Sequence, residues 1–367
     1  MAGALANKPW NGGEAWVRLS YALGLRHLGF RVAFVEQIEP ARCSPAAVAC
    51  FDEVTASFGL DCAELLAGTT PASGRSREQL LDELGEPALL VNVSGNLRDG
   101  ELLERCRRRV YVDVDPGYTQ LWHATGIDVG LAGHHEFVTV GARIGRHGCN
   151  VPTSDLAWRY LPPPVVLDEW PLVVGEPGRF TTVGSWRGGY GRVECEGRVY
   201  GQKAHEFRKL RDLPRRSPFA FELALQIDPA DEPDRRQLVE AGWHLVDPEE
   251  AAAGPSGFRE YVQGSGAECS AAQGIYVETR CGWVSDRTVR YLASGKPALV
   301  QDTGLDGLVP LGEGLVAFRS CADAAAAAAS IVGDYASQCR AARRLAEEHF
   351  DSDLVLGRLL EDAGVAP

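Results

Sequence analysis

One pattern constrains this chain more than any other: short β-branched runs alternate with longer helical segments, the alternation halts at three consecutive prolines, and then it restarts. Such alternation specifies a parallel sheet with helices on both faces, because parallel neighbours need a crossover long enough to hold a helix. In the first half the spacing predicts a helix over Glu14–Leu28, where Trp16, Leu19, Tyr21, Leu23, Leu25 and Leu28 recur on or near one face. Gly29 stops it. Strands are predicted at Arg31–Val35, Ala88–Val93, Arg109–Val114 and Glu136–Val140, with helices at Arg77–Leu84 and Glu101–Arg107. Leu161-Pro-Pro-Pro164, followed by Glu169-Trp170-Pro171, reads as an interdomain linker, since prolines neither continue a helix nor donate in a ladder. Beyond it, strands are predicted at Phe180–Val183, Phe221–Ile227, Trp243–Val246 and Ala298–Gln301. Helices are predicted at Gln202–Leu213, Asp231–Ala241, Phe258–Gly264, Ser285–Ser294 and three C-terminal segments.

The expected fold is therefore α/β, with two doubly wound Rossmann-like domains facing a cleft. Their spans are 1–165 and 166–345, and a helix over 346–367 packs back on the first domain. One irregularity stands out. A doubly wound domain opens with a strand, yet the glycine-rich turn arrives by Asn11, so only Met1–Leu5 remains for it.

The formal charge of −13 argues against a general affinity for nucleic acid, which needs a basic surface. It leaves room for a local basic pocket. Ten cysteines occur without any Cys-x-x-Cys pair or zinc spacing, which suits reduced thiols and a cytoplasmic setting. No window approaches the ~20 apolar residues of a membrane span. Dinucleotide-binding, P-loop and nucleophile-elbow motifs do not occur.

In open α/β sheets, ligands bind beyond the C-terminal ends of strands. Candidates were sought there. Ser285 is a good N-cap, Asp286 suits the first turn, and Arg280 and Arg287 flank a helix N-terminus that would suit a pyrophosphate. Glu278, Gly282 and Trp283 belong to the same stretch. Gln301, Asp302 and Thr303 end an apolar run, where they would read sugar hydroxyls. Gly184, Arg187 and Lys203 follow the first strand of the second half, as Asn11, Gly12 and Gly13 follow that of the first. Asp113-Val-Asp115 matches a short metal motif, but a lone Asp-x-Asp carries little weight. Asp115 is instead expected as a general base, with His134 in reserve, and no metal or cofactor is expected.

These residues resemble a family of bacterial GT-B glycosyltransferases of family-1 type. The likeness lies in Tyr276-Val-Glu-Thr-Arg-Cys-Gly-Trp-Val-Ser-Asp-Arg287 and Tyr291-Leu-Ala-Ser-Gly-Lys-Pro-Ala-Leu-Val-Gln-Asp-Thr-Gly304. It extends to Asn11-Gly-Gly13, Phe34-Val-Glu36, Asp113 to Gln120, Val151-Pro-Thr153, Pro163 to Asp168 and Tyr200-Gly-Gln-Lys203. The resemblance implies sugar transfer from a nucleoside diphosphate donor such as UDP or dTDP to a small-molecule acceptor, natural products included, without a metal. The donor would bind mainly to the second domain, its diphosphate on Ser285, Asp286 and Arg287 and its sugar on Gln301 to Thr303. The acceptor would enter from the first domain. Two rivals remain at this stage: a GT-B-shaped nucleotide-sugar epimerase and a non-catalytic nucleotide- or sugar-binding protein.

Overall fold

The computed structural model describes residues 1–195 and 197–366, without the side chain of Glu83. Fifteen strands, β1 to β15, lie at Phe34–Ile38, Ala63–Ala67, Thr70–Ser73, Leu89–Val93, Arg108–Asp113, Glu136–Thr139, Trp158–Tyr160, Phe180–Ser185, Val193–Cys195, Arg198–Tyr200, Phe221–Gln226, His244–Val246, Ala267–Ser270, Ala298–Gln301 and Leu315–Phe318. In the second half, six of them form one wholly parallel sheet in the order β12-β11-β8-β13-β14-β15. Counted from the start of that half, this is 3-2-1-4-5-6, the doubly wound order. Its inner strands are buried along nearly their whole length, as a sheet covered on both faces demands.

The first half repeats the order with a first strand reduced to almost nothing. Ala2 alone bridges Val35 of β1 and Asn92 of β4, both parallel. Its amide donates to the Val91 carbonyl at 2.8 Å and its carbonyl accepts from Val93 at 3.0 Å, so the row β3-β2-β1-Ala2-β4-β5-β6-β7 is closed. A carboxylate replaces what a longer strand would supply: buried Glu36 accepts from the amides of Leu5, Ala6 and Asn7 at 2.6, 2.7 and 2.8 Å. That anchors the loop ahead of the first helix. The first strand is thus shorter than Met1–Leu5, and β1 begins at Phe34 rather than Arg31.

Asn11 caps the helix Gly12–His27, whose buried face meets both halves of the molecule. The Trp16 indole donates to the Pro255 carbonyl at 2.8 Å and meets Trp170 edge to face. A Cβ on Gly12 would lie 2.0 Å from the Gly254 carbonyl oxygen, so only glycine allows this approach between domains. The linker is pinned as well: Val165 exchanges backbone hydrogen bonds with Phe350 and Ser352. The chain then ends in the helix Ser352–Asp362, whose Val355, Leu356, Leu359 and Leu360 share a core with Tyr21, Leu25, Val91 and Val93 of the first half. Among the described residues, no helix is long and apolar enough to cross a membrane.

Candidate functional site

Between the domains lies a cleft with about 1910 Å³ of space open to solvent. Its lining follows strand ends: the Lys8–Glu14 loop after Ala2, Asp115 after β5, Gly184 and Ser185 closing β8, Gln226 closing β11 and Gln273 after β13. The crevice therefore opens where strand order reverses, between β8 and β13, as the topology dictates.

The C-terminal wall is cationic. Ser285 caps the helix Asp286–Ala293, its hydroxyl accepting from the Arg287 amide at 3.2 Å, and all three residues face the cleft. The Arg287 guanidinium is held by the Glu268 carboxylate at 2.8 Å and the Val183 carbonyl at 3.0 Å, which fixes its orientation. Lys203 stands beside it. A Cβ on Gly184 would lie 3.8 Å from both Lys203 Nζ and Arg287 Nη1, so the glycine stands directly beside the two cations. Burial and the Arg287 charge lower the Lys203 pKa to about 7. Two clustered cations beside a helix N-terminus raise the local affinity for an anion. Asp286 also lines this wall, but its carboxylate is paired to Arg290.

The N-terminal wall is acidic. Asp115 accepts from the Tyr190 hydroxyl at 3.0 Å, and burial together with the Glu14 carboxylate lifts its pKa to about 6. Burial alone would lift Glu14 too, yet Arg18 and Lys8 pair with it and hold it at about 2. Asp113 has a different role. Its two oxygens accept from Thr119, Gln120 and Thr139 side chains at 2.7 Å each and from the Asp115 amide at 3.0 Å. The Asp-x-Asp pair is thus split into one buried anchor and one residue in the cleft.

Of the residues expected from sequence, Asn11, Gly12, Gly13, Asp115, Gly184, Lys203, Trp283, Ser285, Asp286 and Arg287 line the cleft together. The others are placed elsewhere. Gln301 accepts from the Ala272 amide at 3.1 Å and donates to Glu206 at 2.7 Å. Asp302 closes a turn by accepting from Gly304 and Leu305 and receives Arg319 at 2.8 Å, while Thr303 donates to the Trp283 carbonyl at 2.7 Å. All three sit at the end of β14, one strand beyond the crevice, and are turned into protein. Arg187 points outward to a bidentate pair with Asp231 at 2.6 and 2.8 Å. Glu278 holds Arg198 and the Gly201 amide, both at 3.2 Å, and Arg280 reaches Asp302 and Asp306. Gly282 packs against Arg143 and Leu308 at the domain contact. His134 is far from any strand end at the cleft: its ring bonds Asn92 and the Leu131 carbonyl, both at 3.1 Å, and packs edge to face on Tyr111.

Sequence reasoning missed Glu14, Gln273 and Tyr276, which line the cleft, and Tyr190, whose hydroxyl bonds Asp115. Glu14 had a signal, since it follows the Asn-Gly-Gly turn and stands one helical turn before Arg18. Tyr190 had none, because it crosses from the other domain within Gly188-Gly-Tyr-Gly191.

No family model matches the sequence, and no curated relative matches it. Solved structures do match over nearly the whole chain. An alpha-glucosyltransferase in complex with UDP and a DNA 13-mer aligns with a TM-score of 0.61 at 10% identity, covering 99% of this chain and 98% of the other. Anabaena Alr3699/HepE in complex with UDP aligns at 0.59 and 11%, with the same coverage. AviGT4, a glycosyltransferase involved in avilamycin A biosynthesis, aligns at 0.53 and 14%, covering 96% and 89%. The architecture of this chain is GT-B.

Proposed function

We propose that the chain transfers a sugar from a nucleoside diphosphate donor, UDP or dTDP, to a small-molecule acceptor, without a required metal and in the cytoplasm. The observation that carries this reading is the pair of cations lining the cleft, Lys203 and Arg287, beside Gly184 at the N-terminus of the helix Asp286–Ala293. A pyrophosphate seated there meets backbone amides and two positive charges, which stabilise the departing diphosphate as charge develops. The fold neighbours bound to UDP or UDP-glucose support the same choice of donor. The net charge of −13 favours a small acceptor over DNA, although one neighbour was crystallised with DNA.

The acceptor then enters along the acidic wall. In an inverting transfer Asp115 removes the proton of the attacking hydroxyl; a pKa near 6 leaves it ionised at neutral pH yet basic enough to act. A retaining transfer needs no such base. Gln301, Asp302 and Thr303 are not assigned to the donor sugar, since their polar groups are already bonded within the protein.

The test is release of nucleoside diphosphate from a panel of UDP- and dTDP-sugars, with and without a mixture of hydroxylated acceptors. Acceptor-dependent release is expected. A donor sugar altered without any acceptor would replace this reading with epimerisation, and binding without release from any donor would leave only a binding protein.

A further inference from the structure

A second, smaller pocket opens off the cleft, deeper between the domains, with about 580 Å³ of space. It lies between the helix Gly12–His27 of the first half and the helix Asp286–Ala293 of the second. Asp115, Tyr276 and Trp283 line both spaces, so what binds in the pocket reaches the candidate base.

Its floor carries donors without acceptors. The Tyr21 hydroxyl, Arg18 Nε and Arg290 Nε are buried and have no hydrogen-bond partner among the described residues, and all three residues line the pocket. Tyr21, Arg18 and Arg290 are 1%, 5% and 1% exposed. Buried donors are nearly always bonded, and three orphans around one space point to a ligand whose oxygens would complete them. Burial and the Asp286 charge raise the Tyr21 pKa, so its hydroxyl remains a donor.

Charge restricts the class of ligand. Glu14, Asp115 and Asp286 face Arg18 and Arg290, a near balance that gives no net attraction to an anion. Hydroxyl groups suit such a lining, because each one accepts from a donor and donates to a carboxylate. The walls supply the remainder: Trp283 and Tyr276, with ring centroids 4.5 Å apart, and Pro163 and Pro164 offer apolar faces to C–H bonds.

Building on the transfer reading above, we propose that this pocket is the acceptor subsite and selects a neutral polyhydroxylated ring, a sugar or cyclitol, through Tyr21, Arg18 and Arg290. One hydroxyl of that ring faces Asp115, and its neighbours accept from the orphan donors. Tyr21 is then a specificity-determining residue, not a catalytic one.

The test uses protein saturated with UDP and saturation-transfer NMR with glucose, galactose, mannose, myo-inositol and glucuronate as probes. At least one neutral probe is expected to bind, and more tightly than glucuronate. Tyr21→Phe is expected to weaken that binding about fivefold to tenfold, the scale of one hydrogen bond, while UDP affinity and melting temperature do not fall. An unliganded orphan hydroxyl contributes nothing to stability, so a lowered melting temperature would show that it has a partner and overturn the proposal. So would unchanged sugar binding in the variant, preference for glucuronate, or no binding of any neutral probe to the UDP-loaded protein. Failure of UDP itself to bind is a separate result: it would remove the donor reading, and this inference with it.

Discussion

The two walls of the cleft are built by the same strand order yet present different groups. On the C-terminal side, Lys203, Arg287 and a helix N-terminus gather positive potential around Gly184. On the N-terminal side, Asp115 and a Glu14 paired with Lys8 and Arg18 stand beside a loop anchored by Glu36. The difference shows what one topology leaves open: the crevice position is fixed by the sheet, and its chemistry by which side chains follow the strands. In a protein of net charge −13, Lys203 and Arg287 are the proposed site for an anion.

Asp115→Asn probes the acidic wall and has the largest expected effect. In an inverting transfer kcat falls about 10²- to 10⁴-fold with UDP affinity retained, the range of general-base removal. A loss under about tenfold would take the base from the acidic wall and favour retention, which product stereochemistry by NMR would confirm. Lys203→Ala probes the other wall. UDP affinity should weaken by roughly 10- to 100-fold, the scale of a charge-assisted hydrogen bond, while unfolding by urea stays cooperative.

The pH profile joins the walls. On the proposed assignment Asp115 would act only when ionised, above about 6, and Lys203 would attract the donor only when charged, below about 7. Consequently kcat/KM should rise with pH to a maximum between those values and fall beyond it, and Lys203→Arg should remove the alkaline limb. A flat profile from about pH 5 to about pH 8 would separate both residues from turnover.

Two controls sharpen the boundary of the site. Asp302→Ala leaves two amides and Arg319 without their acceptor, so it should cost about 1–3 kcal/mol of stability in urea titration and leave UDP affinity within about twofold. Arg187→Ala should do least. Its side chain is 47% exposed and paired outward to Asp231, so the urea midpoint and UDP affinity stay nearly unchanged. A substantial loss of UDP affinity in either variant would redraw the donor site.

The contrast also explains what was legible in the sequence. Strands β4, β5, β6, β8, β11, β12 and β14 are legible as short apolar runs, and the C-terminal wall from the helix capped by Ser285 together with the glycine near the end of β8. Strands β13 and β15 were not, because Ala267-Glu-Cys-Ser270 and Leu315-Val-Ala-Phe318 are short and differ little in pattern from buried helix segments. Gln301 to Thr303 lie outside the cleft lining for a definite reason. Polar residues after an apolar strand satisfy either a ligand or the protein, and the choice depends on how far the strand lies from the point of order reversal. That distance is a tertiary property. The N-terminal wall was hardest, since Glu14 is tuned by Lys8 and Arg18, and Asp115 receives Tyr190 from the opposite domain.

Isothermal titration of UDP into the wild-type protein and Lys203→Ala, at a pH below about 7 where the lysine is charged, tests the central claim most directly. Saturable binding at one site per chain, weakened at least about tenfold in the variant, is the predicted result. Equal affinities in the two proteins, or no binding to the wild type, would contradict it.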